Sequence, residues 1–370
     1  MESRELSKPS QLVIRNIEKI TGSNLLVLNC PDEEVGVALK EKLPESTLTL
    51  FYFDYADYKR VQTASAEDKN VTTVFNHWHT SSSLHDTTIV YLPKSKPLIE
   101  YVLTLASLNT AHGGKVVVVG ENDGGIRSAK KDIERLIGPI TANDAARHCV
   151  WFEAEKKTEI SKQPEEFISR YEAMIGEVSF TVCNLPGVFS LGKLDAGTKL
   201  LLESLTLQDT QDTSISDKIP HIDLHTKITL LDIACGSGVI GMYLKKISPE
   251  SVIHLSDVNA LSLESARLTM EANKVSNVRI IPSDVFSDID EKYDLIISNP
   301  PFHQGIKTSS EASERLIKEA PHHLATAGKL RLVFNTFLGY DKLMNTFVGK
   351  IRIVTENTSY KVCEAEKLKT

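Results

Sequence analysis

Cysteine is scarce in this sequence and unpaired. Cys30, Cys149, Cys183, Cys235 and Cys363 are scattered, odd in number and without a C-x-x-C. That pattern excludes a disulfide framework and predicts reduced, mostly buried thiols in a cytoplasmic protein. No apolar run approaches the length of a membrane span, and the opening MESRELSKPSQ has no apolar core of a secretory signal. Positive charge is not in excess either. Lys and Arg number 42 against 49 Asp and Glu, a net charge of −7. This argues against a uniformly basic surface and leaves room only for a local basic patch. What remains is ordinary for a globular chain, 41% apolar and 25% charged. Its 370 residues suffice for two domains with full cores.

The most informative stretch is LLDIACGSGVIG, Leu230 to Gly241. A short apolar strand breaks into a glycine loop, and Val239 opens a helix. Gly236, Gly238 and Gly241 form G-x-G-x-x-G. Glycines let the backbone approach a ligand, and the helix N-terminus offers free N–H groups. Alone, the pattern serves dinucleotide and S-adenosylmethionine sites equally. The neighbours narrow it. Asp257, with Val258, follows the next strand (SVIHL, Ser251–Leu255), where a carboxylate can accept both ribose hydroxyls. Asp284 follows the strand Val278–Ile281, and with the adjoining N–H of Val285 it can read an adenine edge. The strand YDLIIS (Tyr293–Ser298) then runs into Asn299-Pro300-Pro301-Phe302, which no dehydrogenase needs.

That tetrapeptide resembles the (D/N/S)PP(Y/F/W) signature of class I S-adenosylmethionine-dependent methyltransferases acting on an exocyclic or amide nitrogen. Further segments extend the likeness: PGVFS from Pro186, LDAGTKLLL from Leu194, SNPPFHQG from Ser298, the run His323–Tyr340 and the strand Tyr360–Ala365. Over Leu185–Ala365 the chain resembles bacterial ribosomal RNA guanine-N2 methyltransferases, most nearly the small subunit methyltransferase C family. Protein glutamine and adenine-N6 methyltransferases usually have tyrosine at the fourth position, so Phe302 leans away from them. Two departures stand out. Thr206–Lys227 is longer and more polar than the family pattern, and reads as a surface loop. At Ser190–Lys193 the glycine does not directly precede Leu194-Asp195.

The first half alternates strand and helix, which argues a parallel sheet covered on both faces. LLVLNCPDEEVG (Leu25–Gly36) aligns without a gap on LLDIACGSGVIG. Asp54 falls close to Asp257, IVYLPKSK on IISNPPFH, and KVVVVGEN on KLRLVFNT; HCVWFEAEK matches YKVCEAEK in spacing. This reads as a duplication whose first copy lost its chemistry, because Pro31 and Glu33 replace Gly236 and Gly238. The expected organisation is α/β, two tandem Rossmann-like methyltransferase domains. Residues 1–160 form the degenerate copy, for RNA binding or structural support; 161–176, with the polar run from Glu155, form a linker. Residues 177–370 form the catalytic copy, a seven-stranded mixed sheet closed by an antiparallel hairpin.

The resemblance implies transfer of methyl from S-adenosylmethionine to a guanine N2 in 16S ribosomal RNA, with the 30S subunit as partner, no membrane or metal, and a monomer. Alternatives are the 23S enzyme and a non-catalytic assembly or RNA-binding factor. Expected catalytic residues are Asn299, Pro300, Pro301 and Phe302; cofactor residues are Asp232, Gly236, Gly238, Asp257, Val258, Asp284, Val285 and Asn299. Asp195, Gly197, Thr198 and His303 are substrate-side candidates. Asp195 reads equally as a helix cap or as part of a turn closing over the cofactor's methionine end. Cys235 reads as packed rather than nucleophilic, and His77-Trp78-His79 as a packed or surface loop rather than a metal site. Lys307, Arg315, Lys318, His322 and Lys329 offer either an RNA-facing patch or a solvated helix face.

Overall fold

The computed structural model describes residues 5–190, 192–206, 226–301 and 307–368. It divides into two compact units, Met1–Ile168 and Ser169–Thr370. No helix among the described residues is long and apolar enough to cross a membrane.

The first unit opens with α1 (Lys8–Arg15). Then follow β1 (Asn24–Leu28), α2 (Glu33–Lys42), β2 (Thr47–Tyr52), α3 (Tyr55–Ala64), β3 (Val71–Phe75), β4 (His85–Tyr91) and α4 (Lys96–Asn109). β5 (Thr110–Glu121), α5 (Lys130–Leu136), β6 (Ile140–Ala146) and β7 (Cys149–Glu155) complete it. The second unit begins with a separate hairpin, β8 (Ser169–Ile175) with β9 (Val178–Asn184). Next come α6 (Ala196–Thr206), β10 (Thr229–Ile233), α7 (Val239–Ile247), β11 (Val252–Asp257), α8 (Ala260–Ala272), β12 (Val278–Pro282) and β13 (Tyr293–Ser298). It ends with α9 (Lys307–His323), β14 (Leu324–Asn335), α10 (Tyr340–Phe347), β15 (Ile351–Glu356) and β16 (Tyr360–Glu366).

Each unit holds one seven-stranded sheet, and the orders match: β3-β2-β1-β4-β5-β7-β6 and β12-β11-β10-β13-β14-β16-β15. Five strands run parallel, and the last two form an antiparallel edge. The central strands are buried on both faces, as the doubly apolar runs Leu25–Leu28 and Leu295–Ile297 require. Small devices recur at corresponding places. Lys40 Nζ donates to the carbonyls of Pro44 and Ser46 (2.7 and 2.6 Å), and Lys245 Nζ to those of Pro249 and Ser251 (2.6 and 3.0 Å). Asp86 accepts the N–H of Asn24 that opens β1, and Asp294 that of Thr229 that opens β10.

The pairing registers correct three sequence expectations. Leu25 pairs Leu48, and Leu230 pairs Ile253. Tyr52 therefore stands where the second unit has Asp257, and Asp54 corresponds to Asn259. Both of these cap the next helix, Asp54 accepting from Asp57 N (3.0 Å) and Asn259 from Leu261 N (2.8 Å). Likewise Leu25 pairs Thr87 and Leu230 pairs Leu295, so Tyr91, not Leu92, stands at the place of Asn299. Third, part of the expected linker is ordered structure. Residues 169–175 are β8, whose backbone is spent on pairing with β9. The polar segment of the second unit, from 207 to 225, lies outside the described residues.

Candidate active site

The loop after β10 turns on Ala234, whose φ of +57° is left-handed. It then passes through Gly236 (φ +53°) and Gly238 (φ +74°) into α7. A Cβ on Gly236 would meet nothing within 4 Å, so its open side faces space a ligand can use. That space is a cavity of about 430 Å³ at the C-terminal ends of β10, β11, β12 and β13, where open α/β sheets hold ligands.

Asp257 projects into it from the end of β11. Its Oδ2 accepts the Gly236 N–H (2.9 Å) and its Oδ1 the Asn259 N–H (2.9 Å), so the acid and the glycine loop fix one another. The Ser262 hydroxyl and the Val258 N–H bond the same carboxylate. Burial raises its pKa, against the pull of those N–H groups. Asp284 and Val285 line the cavity beyond β12, and Arg315 of α9 pairs with the Asp284 carboxylate. Val285 has φ +56°. A β-branched side chain is strained there, and such strain clusters at ligand sites. Val258 also lines the cavity.

Asp232 and Gly238 stand behind the wall rather than in it. Asp232 is fully buried, its Oδ2 accepting the Gly241 N–H (3.0 Å), while Oδ1 has no protein partner among the described residues. Burial pushes its pKa up to about 8, opposed by the Gly241 N–H and aided by Asp257. It braces the loop where a neutral acid or a carboxylate suffices. The Cys235 thiol lines the cavity, but burial raises its pKa well above the ordinary value, so it stays protonated and packed.

At the other end of the cavity lie Asn299, Pro300 and Pro301, after β13. Asn299 donates its amide hydrogens to Asp195 Oδ2 (3.0 Å) and Thr198 Oγ1 (2.9 Å). Asp195 also caps α6, accepting from Thr198 N (2.9 Å). Both line the cavity; Gly197 does not, and a Cβ there would sit 3.0 Å from the Tyr360 ring. Phe302 and His303 lie outside the described residues.

Lys329 does not share a surface with the basic residues of α9. Lys329 is buried, 3.5 Å from the fully buried Glu364, which also binds Arg331 and Arg352. It belongs to the sheet interior and not to an RNA-facing surface. Lys318 pairs with Glu314 along α9 (3.0 Å). In the first unit, His79 packs on Phe51 and His85, and Trp78 on Tyr101.

The residues fit S-adenosylmethionine: a side-chain-free loop wall, an acid at the end of β11, a second acid beyond β12, and a pocket of nucleoside size. The methyltransferase small domain model matches residues 179–364, and its N-terminal companion, methyltransferase small domain N-terminal, matches 10–171. A Colwellia psychrerythraea protein named ribosomal RNA small subunit methyltransferase C is 32% identical over 98% of each chain. The chain belongs to the ribosomal RNA small subunit methyltransferase C family. The Acinetobacter baumannii member is 33% identical over 96% of this chain and 98% of its own. In structure, a T. thermophilus 16S rRNA N2 methyltransferase solved with AdoMet and guanosine has a TM-score of 0.82 and 24% identity. It covers 98% of this chain and 92% of that one, and shares its two-unit fold.

Sequence reasoning missed several walls of this family's cavity in the present chain. Tyr171 on β8, Phe189 and Leu194 before α6, Asn335 at the end of β14 and Tyr360 on β16 all line it. Phe189 is 57% exposed, although Phe is usually buried. The Pro186–Ser190 motif held the signal for Phe189. Tyr171 lay in a stretch taken for a linker and carried none.

Proposed function

We propose that this chain transfers a methyl group from S-adenosylmethionine to the exocyclic N2 of a guanine in 16S ribosomal RNA. The observation that carries the reading is one cavity holding both the Gly236–Asp257 corner and Asn299-Pro300, in a chain of this family. Bound S-adenosylmethionine supplies a methyl on a positively charged sulfur, so the amine needs orientation more than a strong base.

Gly236, Asp257, Val258, Asp284 and Val285 hold the nucleoside end. Asp257 accepts ribose hydroxyls, and the buried wall behind it excludes water. Asn299 Oδ1 and the Pro300 carbonyl each accept one N–H of the target amine. They draw its hydrogens out of the ring plane and aim the lone pair. The methylated nitrogen carries positive charge until one of its protons passes to solvent water, and those two oxygens stabilise it meanwhile. Pro300 and Pro301 have fixed φ, which keeps the carbonyl aimed. Phe302 gives a stacking face, and His303 a contact to base or phosphate. A paired guanine must leave its helix to reach the cavity.

The reading extends to a cytoplasmic monomer acting on the 30S subunit without a metal. Residues 1–160 serve as a copy that holds no cofactor and adds RNA-binding surface or support. The test is transfer of labelled methyl to 30S subunits, 50S subunits and naked 16S RNA from cells lacking the protein. N2-methylguanine in 30S material, lost in Asn299→Ala, is expected. Label only in 50S material moves the assignment to the large subunit, and no label in any of the three overturns the ribosomal reading.

A further inference from the structure

Asn299 is useful to the reaction only one way round. Its oxygen accepts the N–H of an amine; its nitrogen, turned to the same place, would meet that amine donor to donor. The two orientations have the same shape, so packing alone does not choose. The choice is made by what the far side of the amide touches.

In this chain that far side is specified twice. Asp195 Oδ2 lies 3.0 Å from Asn299 Nδ2, and an ionised carboxylate only accepts. Thr198 Oγ1 lies 2.9 Å from the same nitrogen. The Thr198 hydroxyl sits 3.4 Å from Asp195 Oδ2, so it directs its own hydrogen there and turns a lone pair to Asn299. Asp195 is held in turn by the Thr198 backbone N–H at 2.9 Å. Rotating the amide by half a turn would set its oxygen against the carboxylate and leave both acceptors unserved. Glycine at 197 leaves the clamp its space: a Cβ there would lie 3.1 Å from Asp195 Oδ2 and 3.0 Å from the Tyr360 ring.

We propose that Asp195 and Thr198 are positioning residues, not substrate contacts: together they fix the Asn299 amide with its oxygen offered to the target amine. The proposal rests on the methyl-transfer reading and assigns the turn before α6 a part in the chemical step. Their loss therefore lowers kcat and leaves cofactor affinity and the KM for RNA nearly unchanged.

Single-turnover and steady-state methyl transfer on the full chain test this, with cofactor titration calorimetry beside them. Asp195→Asn keeps the shape but offers a donor, so the Asn299 amide can settle either way. A fall in kcat of about 100-fold is expected, by analogy with loss of one preorganised charge-stabilising group. Cofactor Kd should stay within about threefold, well under one lost hydrogen bond to a charged group. Thr198→Val removes one acceptor at constant volume, for about a tenfold loss, one hydrogen bond's worth. Thr198→Ser, which restores the oxygen, should recover most of it.

The decisive variant is a swap. Asn299→Asp alone sets two carboxylates together and should be nearly inactive. Combined with Asp195→Asn, the new amide can donate to the new carboxylate, whose other oxygen again faces the amine. The double variant should exceed either single by about tenfold or more, a gain of roughly 1.4 kcal/mol over the better single and a still larger coupling between the two positions. A double variant no better than its worse parent overturns the proposal, as does full kcat in Asp195→Asn. If Asp195→Asn does not fold, the Thr198→Val and Thr198→Ser pair decides: equal kcat in the two overturns it. Inactive wild type on every RNA defeats the methyl-transfer reading itself. Active wild type with inactive Asn299→Ala and fully active clamp variants defeats only the clamp.

Discussion

The two units carry one backbone plan and opposite pockets. In the second unit, the ends of β10, β11 and β13 present Gly236, Asp257 and Asn299 to an open cavity. In the first, the same three places hold Pro31, Tyr52 and Tyr91, and both tyrosines are buried. The Tyr91 hydroxyl bonds Ser10 Oγ of α1 (2.9 Å), and Ser10 also approaches the buried Cys30 thiol at 3.9 Å. Ser7, which caps α1, bonds Asp32 beside that loop. Burial pushes the Cys30 thiol up to about 12 and the Tyr91 hydroxyl well above its ordinary range, so neither ionises. Side chains and α1 thus occupy in the first unit what a ligand can occupy in the second. The fold dictates where a pocket lies; a few residues at strand ends decide whether it is empty.

The largest test carries the first unit's residues into the second. Asp257→Tyr should cost at least about 100-fold in cofactor affinity by calorimetry, since a carboxylate with two charge-assisted bonds is lost to a bulky ring. Asn299→Tyr should lower kcat by about 1,000-fold with cofactor still bound. Cofactor binding unchanged in Asp257→Tyr would break the comparison.

Next come the acids on the last strands. Glu364 is buried against Lys329, Arg331 and Arg352. Its counterpart Glu153 holds Lys115 at 3.3 Å and the Trp151 indole N–H at 3.0 Å. Glu364→Gln takes the shared carboxylate charge from the buried Lys329 and Arg331 and from Arg352, and should cost about 3–5 kcal/mol. Glu153→Gln keeps an acceptor for the indole and should cost about 1 kcal/mol. Urea unfolding of the full chain reads both. Burial alone would raise the Glu364 pKa, but Arg331, Lys329 and Arg352 outweigh it and hold it below the ordinary value. Its contribution is therefore present above the ordinary carboxyl pKa and is lost as pH falls through the lower folded value.

Asp232 works with the opposite sign. Its folded pKa of about 8 lies above the ordinary 3.8, so the native state holds an extra proton between those values. Stability of the second unit should fall as pH rises from about 4 to 8, and Asp232→Asn should flatten that slope. The first unit has Val27 there and no such slope. Hydrogen exchange in β10 and β1 across this range compares them.

The smallest contrast is steric. A Cβ on Gly241 would come within 2.1 Å of Leu255 Cδ2, whereas one on Gly36 would have 3.4 Å to Leu50. Gly241→Ala should destabilise by about 1–3 kcal/mol, and Gly36→Ala should fall within about 0.5 kcal/mol of neutral. Thermal melts of the two variants are sufficient.

Local patterns made much of this legible in advance. A strand breaking into glycines, an acid at the next strand's end and Asn-Pro-Pro after a doubly apolar strand are each written within a few residues. The halves could be matched because strand and helix alternate in one order. What stayed hidden depends on pairing across the chain. Tyr91 rather than Leu92 stands at the Asn299 position because β1 pairs β4 in the same register in which β10 pairs β13. Lys329 looks like a surface cation from its neighbours; only its pairing beside β16 buries it on Glu364. Asp195 reads equally as a helix cap or as part of a turn over the cofactor; it caps α6, and its second bond, to Asn299, spans 104 positions.

The turn after the first strand holds a lesson about what the two units share. Asn29 has φ +58° and Ala234 has φ +57°. The left-handed kink is present also in the unit whose pocket place is filled, so it belongs to the shared fold and not to the ligand. A search of genomes for the ligand-holding member of such paired units would be misled by that bend. The discriminating letters are the side chains one strand over, where an acid and an amide in the second unit stand against two tyrosines in the first.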